Sequence, residues 1–335
     1  MTCHVLVGGF FGDEGKGKII SYLAIKDNAS ICVRAGVGTN AGHTVEYKGK
    51  TYKLRQISSG FVQEKAKILI GPGVLVNPDI LKKEIEETGV GNRIKIDGQC
   101  AIIEAKHIEE DRGSSFLKEK IGSTGSGCGP CNVERVMRRA KLAKDIPNLS
   151  QYITDVPLEV NTAIDEGKHV LVEGTQGTFL SLYHGTYPFV TSKDTTASQA
   201  CADVGVGPTK VDEVFVVFKS YTTRVGAGPL TEELSEEEAK KRGWFETATV
   251  TGRKRRAAPF NFELAKRAVM LNGATQAALT KLDVIYPECA GARSIEDLSK
   301  EALSFVRKIE ETIKIPVSLI GTGPSTMDII DLREA

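Results

Sequence analysis

The chain has 335 residues, enough to bury a large core, and its 44 basic and 43 acidic side chains leave a formal charge of +1. That balance excludes a general nucleic-acid binder or a membrane-surface protein, both of which need a clear excess of Lys and Arg. Seven cysteines, scattered and odd in number, exclude the disulfide framework of a small secreted domain.

In chain order, "HVLVGG" (4–9) predicts a buried strand, followed by a helix from about Gly15 to Lys26. "SICVR" (30–34) and "AKILIGPG" (66–73) are further strands, and a helix is expected near Asp79 to Glu87. "HVLVEG" (169–174) and "EVFVVFKS" (213–220) are rich in β-branched and aromatic residues and read as strands. "FELAKRAVMLNG" (262–273) is a helix stopped by Gly273, "QAALTKLD" (276–283) a strand, 297–313 a helix, and "PVSLIGTGP" (316–324) a closing strand and loop. Strands alternating with helices imply an α/β fold with a large, mostly parallel central sheet, read as one domain over residues 1–335 with small insertions. Ligands in such folds bind beyond the carboxyl ends of the strands. The N-terminus lacks a charged region ahead of an apolar run, and the uncharged stretch Gly174–Ser192 holds Gly, His, Tyr and Pro rather than a spanning helix. A cytoplasmic protein with no membrane partner is expected.

The stretch "VLVGGFFGDEGKGK" (5–18) has the strand, Gly-rich turn and helix start of a phosphate-binding loop, where unpaired amides and the helix dipole favour an anion. It departs from the usual G-x-x-x-x-G-K-[ST] pattern: five residues separate Gly9 from Gly15, and Gly17 stands where a hydroxyl is customary. Gly12, Gly15 and Gly17 let the backbone approach closely, and Lys16 and Lys18 add positive charge. The same residues also suit a turn that only packs helix on strand. Asp13 and Glu14 favour the chemical reading, because a carboxylate among phosphate-binding amides can ligate Mg²⁺ or accept a proton from a nucleophile.

"GDEGKGK" (12–18) resembles the signature of the adenylosuccinate synthetase family. "GTNAGHT" (38–44), "GSTGSGCGP" (122–130), "EGTQGTFLSLYHGTYPFVTS" (173–192), "VTGRKRR" (250–256), "TKLD" (280–283) and "GTGP" (321–324) resemble its further motifs in order, so the resemblance spans nearly the whole chain, in a short, archaeal-type form. Phe11 stands where many members have Trp, Ser126 where Arg is common in longer forms, and Gly321 where Ser is common.

The resemblance implies a P-loop-like, GTP-dependent ligase that joins IMP and L-aspartate to give adenylosuccinate, GDP and phosphate through a 6-phosphoryl-IMP intermediate. It makes Asp13 the general base on N1 of IMP and, with the carbonyl of Gly42, a ligand of one Mg²⁺. His43 becomes the acid that stabilises charge on the transferring phosphoryl group, and Lys16 offsets phosphate charge. GTP would be held by Gly12, Glu14, Gly15, Lys16, Gly17, Lys18, Gly42, His43, Thr44, Arg255, Lys281, Leu282, Asp283, Gly321, Thr322 and Gly323, with Asp283 accepting from the guanine N1–H and 2-amino group. IMP would be held by Asp13, Glu14, Gly15, Lys16, Asn40, Ala41, Gly42, His43, Thr124, Gln176, Thr191 and Arg253, and by Arg138 reaching across a homodimer from the neighbouring subunit. The aspartate carboxylates would meet Thr249, Val250, Thr251, Gly252, Arg253, Lys254 and Arg255, Arg being suited by its planar fork.

Each motif also has a plainer reading. Arg138 in "ERVMRRAK" suits a solvated helix face, and the basic run 253–256 a nuclear-localisation or nucleic-acid patch. "CGPC" (128–131) has thioredoxin spacing ahead of a helical stretch, which would make Cys128 a redox nucleophile. A regulatory GTP-binding protein would keep "TKLD" and the glycines but dispense with Asp13, His43 and Arg253, all of which are present.

Overall fold

The computed structural model describes residues 3–247 and 252–333. Its strands in chain order are β1 (Cys3–Gly8), β2 (Ile31–Arg34), β3 (His43–Tyr47), β4 (Lys50–Leu54), β5 (Lys67–Ile70), β6 (Ile94–Asp97), β7 (Ile153–Thr154), β8 (Val170–Glu173), β9 (Glu213–Lys219), β10 (Thr222–Val225), β11 (Glu246–Thr247), β12 (Lys254–Ala258), β13 (Gln276–Thr280), β14 (Val317–Gly321) and β15 (Ile329–Asp331). Ten of them form one sheet in the order β15-β14-β13-β9-β1-β8-β2-β5-β6-β7. Every pairing in it is parallel except β14 with β15. The expected α/β fold with a mostly parallel sheet is therefore what the chain adopts.

The central strands β1, β2 and β8 are buried at every residue, as near-continuous apolar runs must be when helices cover both faces. Their period of two splits the core. Leu6, Leu171, Cys32, Ile68 and Phe215 pack with Ile19, Ile20 and Leu23 of the helix Lys16–Lys26. Val5, Val7, Val33 and Val172 face the helices Val156–Asp165 and Ala197–Val204. Further along, helices Phe262–Asn272 and Lys300–Ile313 cover β9, β13 and β14. Since the strands run parallel, the carboxyl ends of β1, β2, β8, β9, β13 and β14 share one edge of the sheet. The loops at 9–15, 35–42, 174–177, 281 and 322–324 are gathered there.

Two small additions stand outside this frame: the hairpin β3–β4 and the antiparallel sheet β10-β12-β11. Both carry site residues. Some boundaries differ from expectation. The strand predicted at 276–283 ends at Thr280, because Lys281 turns left-handed (φ 63°) and starts the short helix Leu282–Ile285. The helix containing "ERV" ends at Val136, and Arg138 lies beyond it at φ 61°. His43 opens β3, a strand that was not predicted. Among the described residues no helix is long and apolar enough to cross a membrane.

Candidate active site

The phosphate loop follows directly from β1. Gly15 caps the helix Lys16–Lys26 at φ 86°, a left-handed conformation that costs glycine nothing. Gly17 has a different task. A Cβ there would lie 2.9 Å from the Thr44 carbonyl and 3.2 Å from the His43 Cβ, so the missing side chain lets β3 close against the helix and brings His43 beside the loop. The two carboxylates part company. Glu14 is 1% exposed and turned inward. Its Oε1 accepts from the amides of Phe10 (3.0 Å) and Gly12 (2.8 Å), and its Oε2 pairs with Lys16 Nζ at 2.8 Å. Asp13, left-handed at φ 64°, presents its carboxylate outward and pairs with Arg255 at 2.9 Å. Burial raises the Asp13 pKa, and the Arg255 and Lys219 charges oppose it.

A second buried node lies where β2 and β8 end. Arg34 and Glu173 are register partners, so their side chains share a face, and they form an ion pair at 3.0 Å with both essentially inaccessible. Glu173 also accepts from Ser58 Oγ, Ser59 N and Ser59 Oγ, each at 2.7 Å, and contacts His43 Nδ1. Arg34 Nη1 lies 2.7 Å from the same His43 nitrogen. One ring nitrogen cannot serve both groups. Because Arg34 already has an acceptor in Glu173, Nδ1 carries the proton and donates to the carboxylate, which leaves Nε2 for a ligand. Burial would raise the Glu173 pKa, but Arg34 and then His43 hold it down at about 2. Burial and Arg34 lower His43 to about 4 against the pull of Glu173.

Asp13 and His43 meet in one cavity of about 560 Å³. Its wall includes Gly12, Asp13, Gly15, Lys16, Gly17 and Lys18 from the first loop, and Asn40, Ala41, Gly42, His43 and Thr44 from the second. Thr124, Gln176, Thr191, Arg253, Arg255, Lys281 and Gly323 complete the set of expected residues on it. Asn40 links two of these, bonding Thr191 Oγ1 at 3.0 Å and Gln176 Nε2 at 3.2 Å. Thr124 bonds Ser126 at 2.7 Å, and Arg253 bonds the Gly122 carbonyl at 2.7 Å. Gly321 leaves room for Lys18, whose Cε would lie 3.1 Å from an added Cβ. The Asp283 Oδ1 is buried with no hydrogen-bond partner, a state that calls for a ligand or a water.

Other expected residues sit elsewhere. Glu14 is off the wall, its carboxylate turned to the amides of Phe10 and Gly12. Leu282 is core, and Thr322 is buried with its hydroxyl on the Ala292 carbonyl at 2.8 Å. The basic run is sorted by strand alternation. Arg253 and Arg255 face the cavity, while Lys254 pairs with Glu236 at 2.8 Å and Arg256 bonds Glu233 at 2.7 Å. Lys254 is thus turned away from the site it was expected to serve, and the run is no exposed nucleic-acid patch. Thr249, Val250 and Thr251 lie outside the described residues. Arg138 is exposed and off the cavity of its own chain, next to the exposed Val136 and Met137. Cys128 lies on the cavity wall at a helix start, yet burial raises its pKa and pushes Cys131 up to about 12. Neither thiol has the thiolate character of a redox nucleophile.

Sequence reasoning missed Arg34, Glu173, Lys219 and Glu246. Glu173 had a signal: it is a carboxylate at the last position of a buried strand, directly before the "GTQG" loop. Arg34 had the same one, as the charged end of "SICVR". Glu246 had none, because its partners come from three distant segments.

A family model described as adenylosuccinate synthetase matches residues 5–148 and 140–288. The chain is 57% identical over 336 residues to the adenylosuccinate synthetase of Methanosphaera stadtmanae, covering 99% of this chain and 98% of that one. It is 56% identical over 334 residues to that of Archaeoglobus fulgidus, covering 100% and 99%. Among solved structures it is similar to the fully ligated adenylosuccinate synthetase of Plasmodium falciparum, with a TM-score of 0.91, 25% identity and coverage of 98% and 99%.

Proposed function

The chain belongs to the adenylosuccinate synthetase family, and from that premise we infer how its cavity carries out the ligation. The enzyme is a GTP-dependent ligase that joins IMP and L-aspartate into adenylosuccinate through 6-phosphoryl-IMP. The 6-oxo group of IMP is a poor leaving group until it is phosphorylated. Asp13 takes the N1 proton, O6 attacks the γ-phosphate, and the aspartate amine then displaces phosphate from C6. The observation that carries this reading is the shared wall: the phosphate loop, His43, the Asn40–Gln176–Thr191 linkage and the Arg253–Arg255 edge all line one cavity.

The raised pKa of Asp13 suits a base that must hold a proton in a dry site. His43, oriented by Glu173 through Nδ1, offers Nε2 to the γ-phosphoryl oxygens. It is neutral in the ligand-free site, and a triphosphate beside it favours its protonated form. Lys16 and Lys18 offset phosphate charge, and Asp283 with its unpartnered oxygen reads the guanine edge beside Lys281 and Gly323. Asn40, Ala41, Thr124, Gln176, Thr191 and Arg253 position IMP, and Arg253 and Arg255 meet the aspartate carboxylates. Asp13 and the Gly42 carbonyl are hard oxygen donors on one wall and fit Mg²⁺. When bound, that ion supplies charge neutralisation at the phosphate oxygens. We read residues 1–335 as one synthetase domain, because the loops of the central sheet and both small sheets contribute to this one wall. We also read it as a cytoplasmic homodimer in which Arg138 completes the IMP site of the neighbouring subunit; its exposure, off the cavity of its own chain, supports that arrangement.

The test is phosphate release from Mg-GTP with IMP and L-aspartate together and with each omitted in turn. Release that requires both, matched by adenylosuccinate, is expected. Guanine nucleotide binding without release under any combination would overturn the assignment.

A further inference from the structure

Glu246 is the acceptor on which the cavity's cationic edge converges. It stands on β11 opposite Arg255 on β12, an antiparallel register pair whose side chains share a face. Its carboxylate accepts from Lys219 Nζ at 2.8 Å, from the Tyr221 hydroxyl and from Arg255 Nη1, and Lys281 Nζ lies 4.0 Å away. Lys219 and Tyr221 are buried, and Tyr221 stacks on Trp244 with ring centroids 4.9 Å apart, so these donors are fixed. Glu246 itself lines the cavity.

Arg255 is consequently forked between two carboxylates. Nη1 is held by Glu246, and Nη2 reaches Asp13 at 2.9 Å. The two contacts differ in permanence. Glu246 has several fixed donors and stays where it is. Asp13 must give up its ion pair before it can act as a base or meet a cation, an argument that rests on the function proposed above. When it does, Nη2 is left without an acceptor while Nη1 remains anchored, and the fork still points into the cavity.

We propose that Glu246 is a positioning residue that anchors Arg255 so that the arm released by Asp13 is presented to the carboxylate of the incoming L-aspartate. Asp13 holds that arm in the structure, and the substrate carboxylate replaces it. The Glu246–Lys219–Tyr221 cluster thereby links occupation of the amino-acid site to release of the catalytic carboxylate.

The test is the Glu246→Gln enzyme, which keeps the shape and removes the charge. Steady-state constants are measured for all three substrates, beside thermal unfolding. Loss of a charge-assisted anchor raises the KM for L-aspartate about 10- to 100-fold, with the KM for IMP changed less than about twofold. Equal changes in all three KM values, or a lowered unfolding temperature with unchanged KM values, would overturn the proposal. If the Gln variant does not fold, Tyr221→Phe removes one donor from Glu246 and keeps the ring stack. It should raise the aspartate KM alone, by about threefold, and no change in that constant would equally overturn the proposal. A wild-type enzyme that forms no adenylosuccinate fails on the proposed function instead, which the wild-type control reports separately.

Discussion

Glu173→Gln tests whether the buried node at the ends of β2 and β8 is both a structural and a chemical element. All five groups around Glu173 are donors: Arg34 Nη1, His43 Nδ1, Ser58 Oγ, Ser59 N and Ser59 Oγ. A carboxylate can accept from all of them, whereas an amide adds an N–H₂ with nothing to receive it and leaves Arg34 as a buried charge. The carboxyl pKa falls from 4.5 to about 2 on folding, which corresponds to about 3 kcal/mol of stability at neutral pH. Because the folded pKa is the lower one, this contribution is complete above the unfolded value and is lost as pH falls toward 2. Urea unfolding of both proteins should therefore show a gap of about 3 kcal/mol at pH 7 that shrinks to roughly half near pH 3. The kcat should fall about 100-fold or more, because His43 loses the acceptor that fixes its tautomer, while GTP affinity changes little. A gap independent of pH, or an unchanged kcat, would refute the assignment.

If Asp283 reads the guanine edge as proposed, Asp283→Asn should raise the KM for GTP about 10- to 100-fold with the KM for IMP unchanged; an unchanged preference for GTP over ATP would refute that role. Arg138→Ala should be inactive alone, and so should Asp13→Asn. If Arg138 serves the neighbouring subunit, mixing the two inactive proteins restores about a quarter of the activity, since half of the random dimers carry one intact site, whereas no recovery places Arg138 in its own site or in none. Glu14→Gln should lower stability by about 1–3 kcal/mol through the amides and the lysine it satisfies, measured by urea unfolding at pH 7, and a variant as stable as wild type would contradict the inward placement of its carboxylate.

The central sheet was legible because its strands are buried on both faces and so read as short, nearly continuous apolar runs; "HVLVGG", "HVLVEG" and "EVFVVFKS" each fall within a residue or so of β1, β8 and β9. The hairpin carrying His43 was not legible. "HTVEY" and "KTYKL" are half-exposed and polar, and the approach of β3 to the first helix depends on Gly17. The sheet β10-β12-β11 escaped notice for a similar reason: its middle strand is "KRRAA", whose charged residues hide the alternation that sends Arg255 inward and Lys254 outward. Motif spacing placed the loop residues on one wall of the sheet. It carried no information on Glu246, whose role arises only from register and from partners on three other segments.

The two carboxylates of the phosphate loop illustrate how much neighbours decide. Asp13 and Glu14 are adjacent, acidic and set among glycines, and nothing in the residues themselves separates them. The backbone does. Asp13 takes a left-handed conformation that turns its side chain into the cavity and toward Arg255, while Glu14 folds back over the amides of Phe10 and Gly12 and takes Lys16 as its counterion. One carboxylate thus satisfies donors that would otherwise be orphaned in the tight turn after β1. The other is left on the cavity wall, paired with Arg255. A loop carrying only the first would be a scaffold, and one carrying only the second would leave its own amides unpaired. The negative charge in this loop is thus divided between one carboxylate that satisfies the turn and one that faces the cavity.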